Sequence, residues 1–126
     1  MPIDPERWTL KTREAFATAT QQAAAAGHGE VTPTHLLAAV LAQPEGIASP
    51  LLTRVGVDPA ALARQLGDEL SRQPRAVGGT EPSLGRAARE MLESADHVRV
   101  DMGDDFVSVE HLLLAMADRT GASRDE

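Results

Sequence analysis

Side chains capable of catalysis or metal binding are few in this chain of 126 residues. The sequence has no cysteine, which excludes a disulfide framework, a thiol nucleophile and a thiolate metal site. The histidines form no HExxH motif, no pair spaced i,i+4 and no metal-ligand spacing with a carboxylate, so no metal or catalytic role is predicted. A structural or partner-facing role is favoured for these residues, which are His28, His35, His97 and His111.

Four carboxylates, Asp101, Asp104, Asp105 and Glu110, lie within ten residues of one another and suggest a calcium loop. An EF-hand requires alternating oxygen ligands and a bidentate glutamate at its twelfth position, and the segment DMGDDFVSVE lacks that pattern. Two interpretations remain. The segment is a solvated loop with helix caps, or its acids frame a cleft for a basic or extended peptide.

Nucleotide hydrolysis is also excluded for this stretch of sequence. It contains no G-x-x-x-x-G-K-[ST] phosphate loop, and the single lysine, Lys11, falls within the first predicted helix. The serines show no G-x-S-x-G nucleophile motif. We therefore expect a protein domain that is not an enzyme and that holds no cofactor of its own.

Composition argues against nucleic acid and membranes as partners. A net charge of −7 argues against a grip on nucleic acid backbones, which needs clustered lysine and arginine. Three aromatic residues, Trp8, Phe16 and Phe106, do not make a platform for base stacking. The apolar runs are short and the start of the chain is polar, so no membrane span or signal peptide is predicted and a cytoplasmic location is expected.

The elements that position these residues come from a duplicated unit. Residues 8–41 and 84–117 align without a gap at an offset of 76, and nine of the 34 positions are identical. Identities include Gly27 with Gly103 and His35 with His111. The pattern predicts an all-α fold made of two pseudo-symmetric helical repeats.

Helical periodicity and capping residues give the element bounds. The first repeat, residues 5–73, is predicted to hold helices at about 5–26, 33–42, 48–55 and 59–72. The second repeat, residues 83–126, is predicted to hold one helix that Ser83 caps and Gly103 ends, and another that Ser108 caps.

Residues 74–82, with two prolines and a Gly-Gly pair, are predicted to link the repeats inside a single domain of residues 1–126. The first repeat's residues 47–70 would correspond to 123–146, but the sequence ends at Glu126, so the second repeat is expected to be incomplete. Leu112, Leu113 and Met116 would then lack part of their cover, which predicts an exposed apolar patch, looser packing or self-association.

Linked motifs give the chain a family resemblance. Gly27-His28 followed by Thr-Pro-x-His-Leu-Leu, the Gly-Val-Asp-Pro at 56–59 and GDDFVSVEHLLLA at 103–115 resemble the N-terminal domain of Clp-family AAA+ chaperones over about residues 4–118. The Pro-Leu-Leu at 50–52 and the segment LSRQPRAVGG are more similar to the ClpB-type disaggregase than to the ClpC-type protease partner.

The resemblance implies a domain that captures unfolded or aggregated polypeptide and hands it to ATPase modules outside this stretch, in a homohexamer that uses ATP and Mg²⁺. Chaperone activity in ClpB-type domains is tied to positions that fall on Thr9, Asp104 and Glu110, and an apolar groove is tied to positions that fall on Val98 and His111. The mechanism expected on this basis is capture of an extended segment in a cleft lined by the first, fifth and sixth helices.

Two alternatives stay open at this point. One is a stand-alone Clp-repeat adaptor or regulator without an ATPase. The other is a ClpC-type domain, which resembles a phosphoarginine receptor with one glutamate in each repeat. The sequence has Glu110 in the second repeat but Thr34 at the matching place in the first, which argues against a two-site receptor of that kind.

Overall fold

The computed structural model describes residues 3–75 and 81–120, with side chains described as far as residue 117. After a 3₁₀ turn at Pro5–Arg7, the chain is mostly helical, which confirms the predicted all-α class. The elements are α1 Leu10–Ala26, β1 Glu30–Val31, α2 Pro33–Leu41, α3 Ala48–Arg54, α4 Pro59–Ser71, β2 Ser83–Leu84, α5 Arg86–Asp101 and α6 Val109–Thr120.

Local sequence explains where most helices begin and end. Asp58 caps α4 by accepting the Ala60 N–H at 3.1 Å, and Pro59 occupies the first helical position, where no N–H is needed. Gly27 and Gly103 follow α1 and α5 with φ of 78° and 76°, a left-handed conformation that glycine adopts without steric cost. The matching glycines of the two repeats therefore end matching helices.

Two predicted helix starts are wrong, and both for the same reason. The helix predicted at 5–26 is interrupted, because Trp8 is extended and forms a parallel bridge with Val107 before α1 begins at Leu10. The helix expected to start at Ser83 begins later, at Arg86, because Ser83 and Leu84 pair with β1.

These bridges exchange partners between the repeats. Trp8 pairs with Val107, and Leu84 pairs with Val31, which are the same two repeat positions with the halves interchanged. The Thr9 N–H donates to the Val107 carbonyl at 3.0 Å, and the Gly85 N–H donates to the Val31 carbonyl at 3.0 Å. Each repeat thus completes the backbone hydrogen bonding of the other, as expected for a pseudo-twofold pair.

One apolar core joins the two repeats, with α2 packed against α1, α4, α5 and α6. The expectation that Leu112, Leu113 and Met116 would lack cover is wrong. Leu112 and Met116 are 1% and 9% exposed, and Leu113 is partly buried against the core. Helix α5 packs along α6, and α2 and α3 also contact it, which supplies that cover. The proposed repeat bounds and the linker remain predictions, and residues 76–80 and 121–126 lie outside the described part of the chain.

Candidate functional site

Two open grooves lie where helix starts from different repeats meet. The first, called the Met91 groove, has a volume of about 330 Å³ and is lined by Pro33, Thr34, Leu37, Leu66, Glu69, Ala87, Met91 and Met116. The second, called the Thr9 groove, has a volume of about 310 Å³ and is lined by Thr9, Lys11, Gln43, Glu45, Gly46, Ile47, Ser108 and Val109.

The 76-residue offset relates these grooves to each other. Pro33 at the start of α2 matches Val109 at the start of α6, and Lys11 in the first turn of α1 matches Ala87 in the first turn of α5. Each groove is therefore bounded by the start of a second-position helix from one repeat and the start of a first-position helix from the other. The fourth helix closes the Met91 groove, whereas the connection between α2 and α3 closes the Thr9 groove.

Thr9 is the N-cap of α1. Its hydroxyl accepts the Thr12 N–H at 3.2 Å and lies 2.9 Å from the Thr12 hydroxyl. The Thr12 hydroxyl donates to the buried Val107 carbonyl at 2.9 Å, so the Thr9 proton points to Thr12. One lone pair of Thr9 is left for a ligand, and Thr9 therefore meets a ligand only as an acceptor.

His111 is buried, at 1% exposed, near the start of α6. Its Nδ1 accepts the Ser108 N–H at 2.8 Å, and its Nε2 donates to Asp104 Oδ2 at 2.8 Å. Both ring nitrogens are engaged, so the ring positions the loop and the helix start rather than a surface for a ligand. The structure thus brings two of the sequence-predicted residues, Asp104 and His111, into direct contact.

The first repeat carries the same arrangement with a different partner. His35 Nδ1 accepts the Thr32 N–H at 2.9 Å in a capping box, and His35 Nε2 lies 2.9 Å from His28 Nδ1. His28 occupies the position of Asp104 in the 76-residue alignment. Burial lowers the pKa of His35 below its ordinary 6.5, and the neighbouring His28 lowers it further.

Glu110 and Val98 lie outside these two sets of hydrogen bonds. Glu110 is exposed in the first turn of α6, one residue beyond the Thr9 groove, with no hydrogen-bond partner among the described residues. A carboxylate there is favoured by the helix dipole. Val98 is half-buried on α5 and is not among the residues that line either groove.

The grooves differ from the cleft expected from sequence. The sequence predicts a cleft lined by the first, fifth and sixth helices, whereas α1 and α6 line the Thr9 groove, and α5 and α6, the latter through Met116, line the Met91 groove. Neither the Met91 groove nor the contribution of residues 43–47 to the Thr9 groove was predicted from the sequence. The repeat offset could have indicated the Met91 groove, because it maps the start of α6 onto the start of α2.

Among residues 3–75 and 81–117, no three histidine or acidic side chains are grouped closely enough to hold a metal ion. The loop that follows α5 is held by an arginine instead. Arg99 donates to Asp96 at 2.8 Å and to the backbone carbonyls of Asp104 and Asp105, which ties the loop to α5. In the same part of the chain, no helix has the length and apolar character to cross a membrane.

Comparison with known proteins gives a consistent result. The model of the Clp repeat (R) N-terminal domain matches residues 7–125. A relative described as chaperone protein ClpB of Mycobacterium tuberculosis is 40% identical over 110 residues, which is 86% of this chain and 13% of the relative. The chain thus spans about an eighth of the length of such curated relatives.

Solved structures share the fold. The N-terminal domain of the ClpV1 ATPase from Escherichia coli has a TM-score of 0.83 and 29% identity, covering 90% of this chain and 69% of that one. A ClpV N-domain in complex with a VipB peptide has a TM-score of 0.81 and 19% identity, covering 91% and 70%. At the lower identity, the likeness speaks to the fold alone.

Proposed function

The chain belongs to the Clp repeat N-terminal domain family, and from that premise we propose that it captures unfolded or aggregated polypeptide and passes it to ATPase modules. Its site is the Thr9 groove together with the adjoining start of α6. The client is an extended segment that places apolar side chains in the groove and basic side chains near Glu110.

The observation that carries the proposal is the character of the Thr9 groove. Ile47 stands at its rim, 47% exposed, and Val109 forms part of its wall, so apolar surface is open to solvent beside a free carboxylate. Apolar surface of that kind lowers its free energy by binding apolar groups. Glu110 adds attraction for lysine or arginine in a client and disfavours acidic segments.

Weak binding is expected from such a site, and it suits the proposed role. The groove is shallow, and ordering an extended chain costs conformational entropy, which offsets most of the gain from a few buried side chains. A domain that must release its client to a motor gains nothing from tight binding. One neighbour with this fold is described as a complex with a peptide, which supports a peptide ligand here.

The parent assembly is part of the same proposal. The 40% identity to a ClpB chaperone supports a disaggregase whose ATPase modules bind ATP and Mg²⁺ in a cytoplasmic homohexamer. Thr9, Asp104, Glu110, Val98 and His111 are the residues expected to matter for client binding. The contacts around His111 and Asp104 give these two a positioning role, and Thr9 and Glu110 the direct one.

Replacement of Ile47 by asparagine tests the groove. Ile47 directly precedes α3 and makes no side-chain cap bond, so Ile47→Asn removes apolar surface without breaking a helix cap. We expect the Kd for an unfolded model protein, reduced and carboxymethylated lactalbumin, to rise about tenfold, equivalent to about 1.4 kcal/mol. Fluorescence anisotropy of the labelled client measures this change.

Val55→Asn is the matched control. Val55 lies at the other end of α3, is 73% exposed and lines neither groove, so the same chemical change there should leave the Kd unaltered. Glu110→Gln should weaken binding of a lysine-rich client at low salt and have little effect at high salt. Equal affinity of Ile47→Asn and the native domain would exclude the Thr9 groove as the client site.

A further inference from the structure

We propose that the buried His28–His35 pair is an acid-sensitive switch, which releases the start of α2, and with it one wall of the Met91 groove, as the pH falls below neutrality. The property that changes is how well the first turn of α2 is held in place. It stands whether or not either groove binds a client.

The hydrogen bonds fix where the ring protons lie. His35 Nδ1 faces the Thr32 N–H at 2.9 Å, so this nitrogen is an acceptor and carries no proton. His35 Nε2 then carries the proton and donates it to His28 Nδ1 at 2.9 Å, which places the His28 proton on Nε2. Every acceptor nitrogen that the two rings have is therefore in use.

A proton added to either acceptor nitrogen consequently breaks a hydrogen bond. On His28 Nδ1 it opposes the N–H of His35, and on His35 Nδ1 it opposes the N–H of Thr32. His28 is 6% exposed and His35 is 1% exposed, so water offers little compensation for the charge. The lowered pKa of His35, caused by burial and then by His28, agrees with this reasoning.

The charged groups around the pair do not compensate a positive charge on either ring. Arg75 shares a small cavity with His28 and lies over Gly27, where it opposes a second positive charge. The carboxylate of Glu30 lies against Gly85, and Glu69 lines the Met91 groove, without a hydrogen bond to either ring in the described structure. The last turns of α1 are uncharged, and α5 and α6 present Ala87, Met91 and Met116 to the start of α2.

The second repeat shows how the same backbone avoids this conflict. His111 Nε2 donates to a carboxylate, Asp104, whose side chain is 48% exposed. The acceptor there is an anion that is open to water, not a second buried imidazole, so it compensates a positive charge next to it. Acid should therefore loosen the start of α2 and leave the start of α6 in place.

The consequence of switching is local to one groove. Thr32 caps α2, and the next two residues, Pro33 and Thr34, line the Met91 groove. Loss of the bond from the Thr32 N–H to His35 Nδ1 removes half of the capping box, so only the Thr32 side of the box, its hydroxyl accepting the His35 N–H at 3.4 Å, still holds the first turn. Acidification thus alters the Met91 groove before it affects the Thr9 groove.

Hydrogen exchange at pH 7.5 and pH 5.5, corrected for intrinsic chemical rates, tests the switch. In the native domain we expect the protection of amides 35–41 in α2 to fall several-fold relative to amides 111–117 in α6. His28→Asn keeps an acceptor for His35 Nε2 but removes one of the two imidazoles, and it should reduce this difference. His97→Gln, at an exposed histidine, is the control and should behave as the native domain does.

Parallel behaviour of the two helices in the native domain would overturn the proposal. That comparison needs no variant, so it decides the matter even if His28→Asn fails to fold. An unchanged pH response in a folded His28→Asn would also overturn it, because the response would then come from groups other than the pair.

Discussion

In the first repeat the ring of His35 faces a second imidazole, whereas in the second repeat the ring of His111 faces a carboxylate at the equivalent position. The backbone around the two rings has the same order, with a bridged extended residue, then the residue whose N–H donates to the ring, then the helix start. The two repeats thus share the hydrogen-bond geometry but differ in the residue that the ring bonds to. The buried apolar residues at equivalent positions, called the apolar frame, are shared between the repeats. The polar side chains and the residues at the groove rims distinguish the repeats.

The largest expected effect tests whether the apolar frame is really shared. Leu36 and Leu112 are equivalent, and each is 1% exposed. Leu36→Ala and Leu112→Ala should each lower the free energy of unfolding by about 2–5 kcal/mol, because each removes buried methyl groups and leaves a cavity. Urea denaturation of the two variants provides the comparison, and a clearly smaller loss for Leu112→Ala would mean that α6 is less well covered than α2.

A second prediction addresses a polar contact that only one repeat has. Thr12 donates to the Val107 carbonyl from inside the core, and its equivalent, Ala88, has no hydroxyl. Thr12→Val keeps the shape but removes this bond and the one to Thr9, so we expect a loss of about 1–2 kcal/mol. Thr20→Val, at a partly buried residue whose hydroxyl bonds only within its own helix, serves as the control and should lose less. Equal losses would show that the bond between repeats adds no stability.

The smallest effect concerns the caps of the two long helices. Thr9 caps α1 with its side chain, whereas Gly85, its equivalent at α5, has no side chain to do so. Thr9→Ala should cost about 1 kcal/mol of stability, and Thr9→Gly, which makes the first cap like the second, only a few tenths. Thermal unfolding of both variants measures this order, and the reverse order would show that the Thr9 hydroxyl is not an important cap.

Sequence was sufficient for the helices that begin with local signals. Thr32 with Pro33, and Asp58 with Pro59, predicted the starts of α2 and α4 because a cap and a proline act within a few residues. The extended pairs at Trp8 and Leu84 were missed since their partners lie in the other repeat. Only packing of the two halves brings those backbones together.

The candidate site shows the same division. The repeat offset already placed His28 opposite Asp104, so the exchange of an imidazole for a carboxylate was present in the sequence. The burial of His35 and His111, and their bonds to His28 and Asp104, depend on the geometry of the loops after α1 and α5. The Met91 groove depends on where α4 packs, which no short motif specifies.

The most direct test of the proposed function is a map of amide chemical-shift changes when an unfolded client is added to the isotope-labelled domain. Binding in the Thr9 groove predicts changes at residues 9–11, 43–47 and 108–111, with small changes at the matching positions around the Met91 groove. Changes confined to the Met91 groove, or to surfaces outside both grooves, would contradict the account.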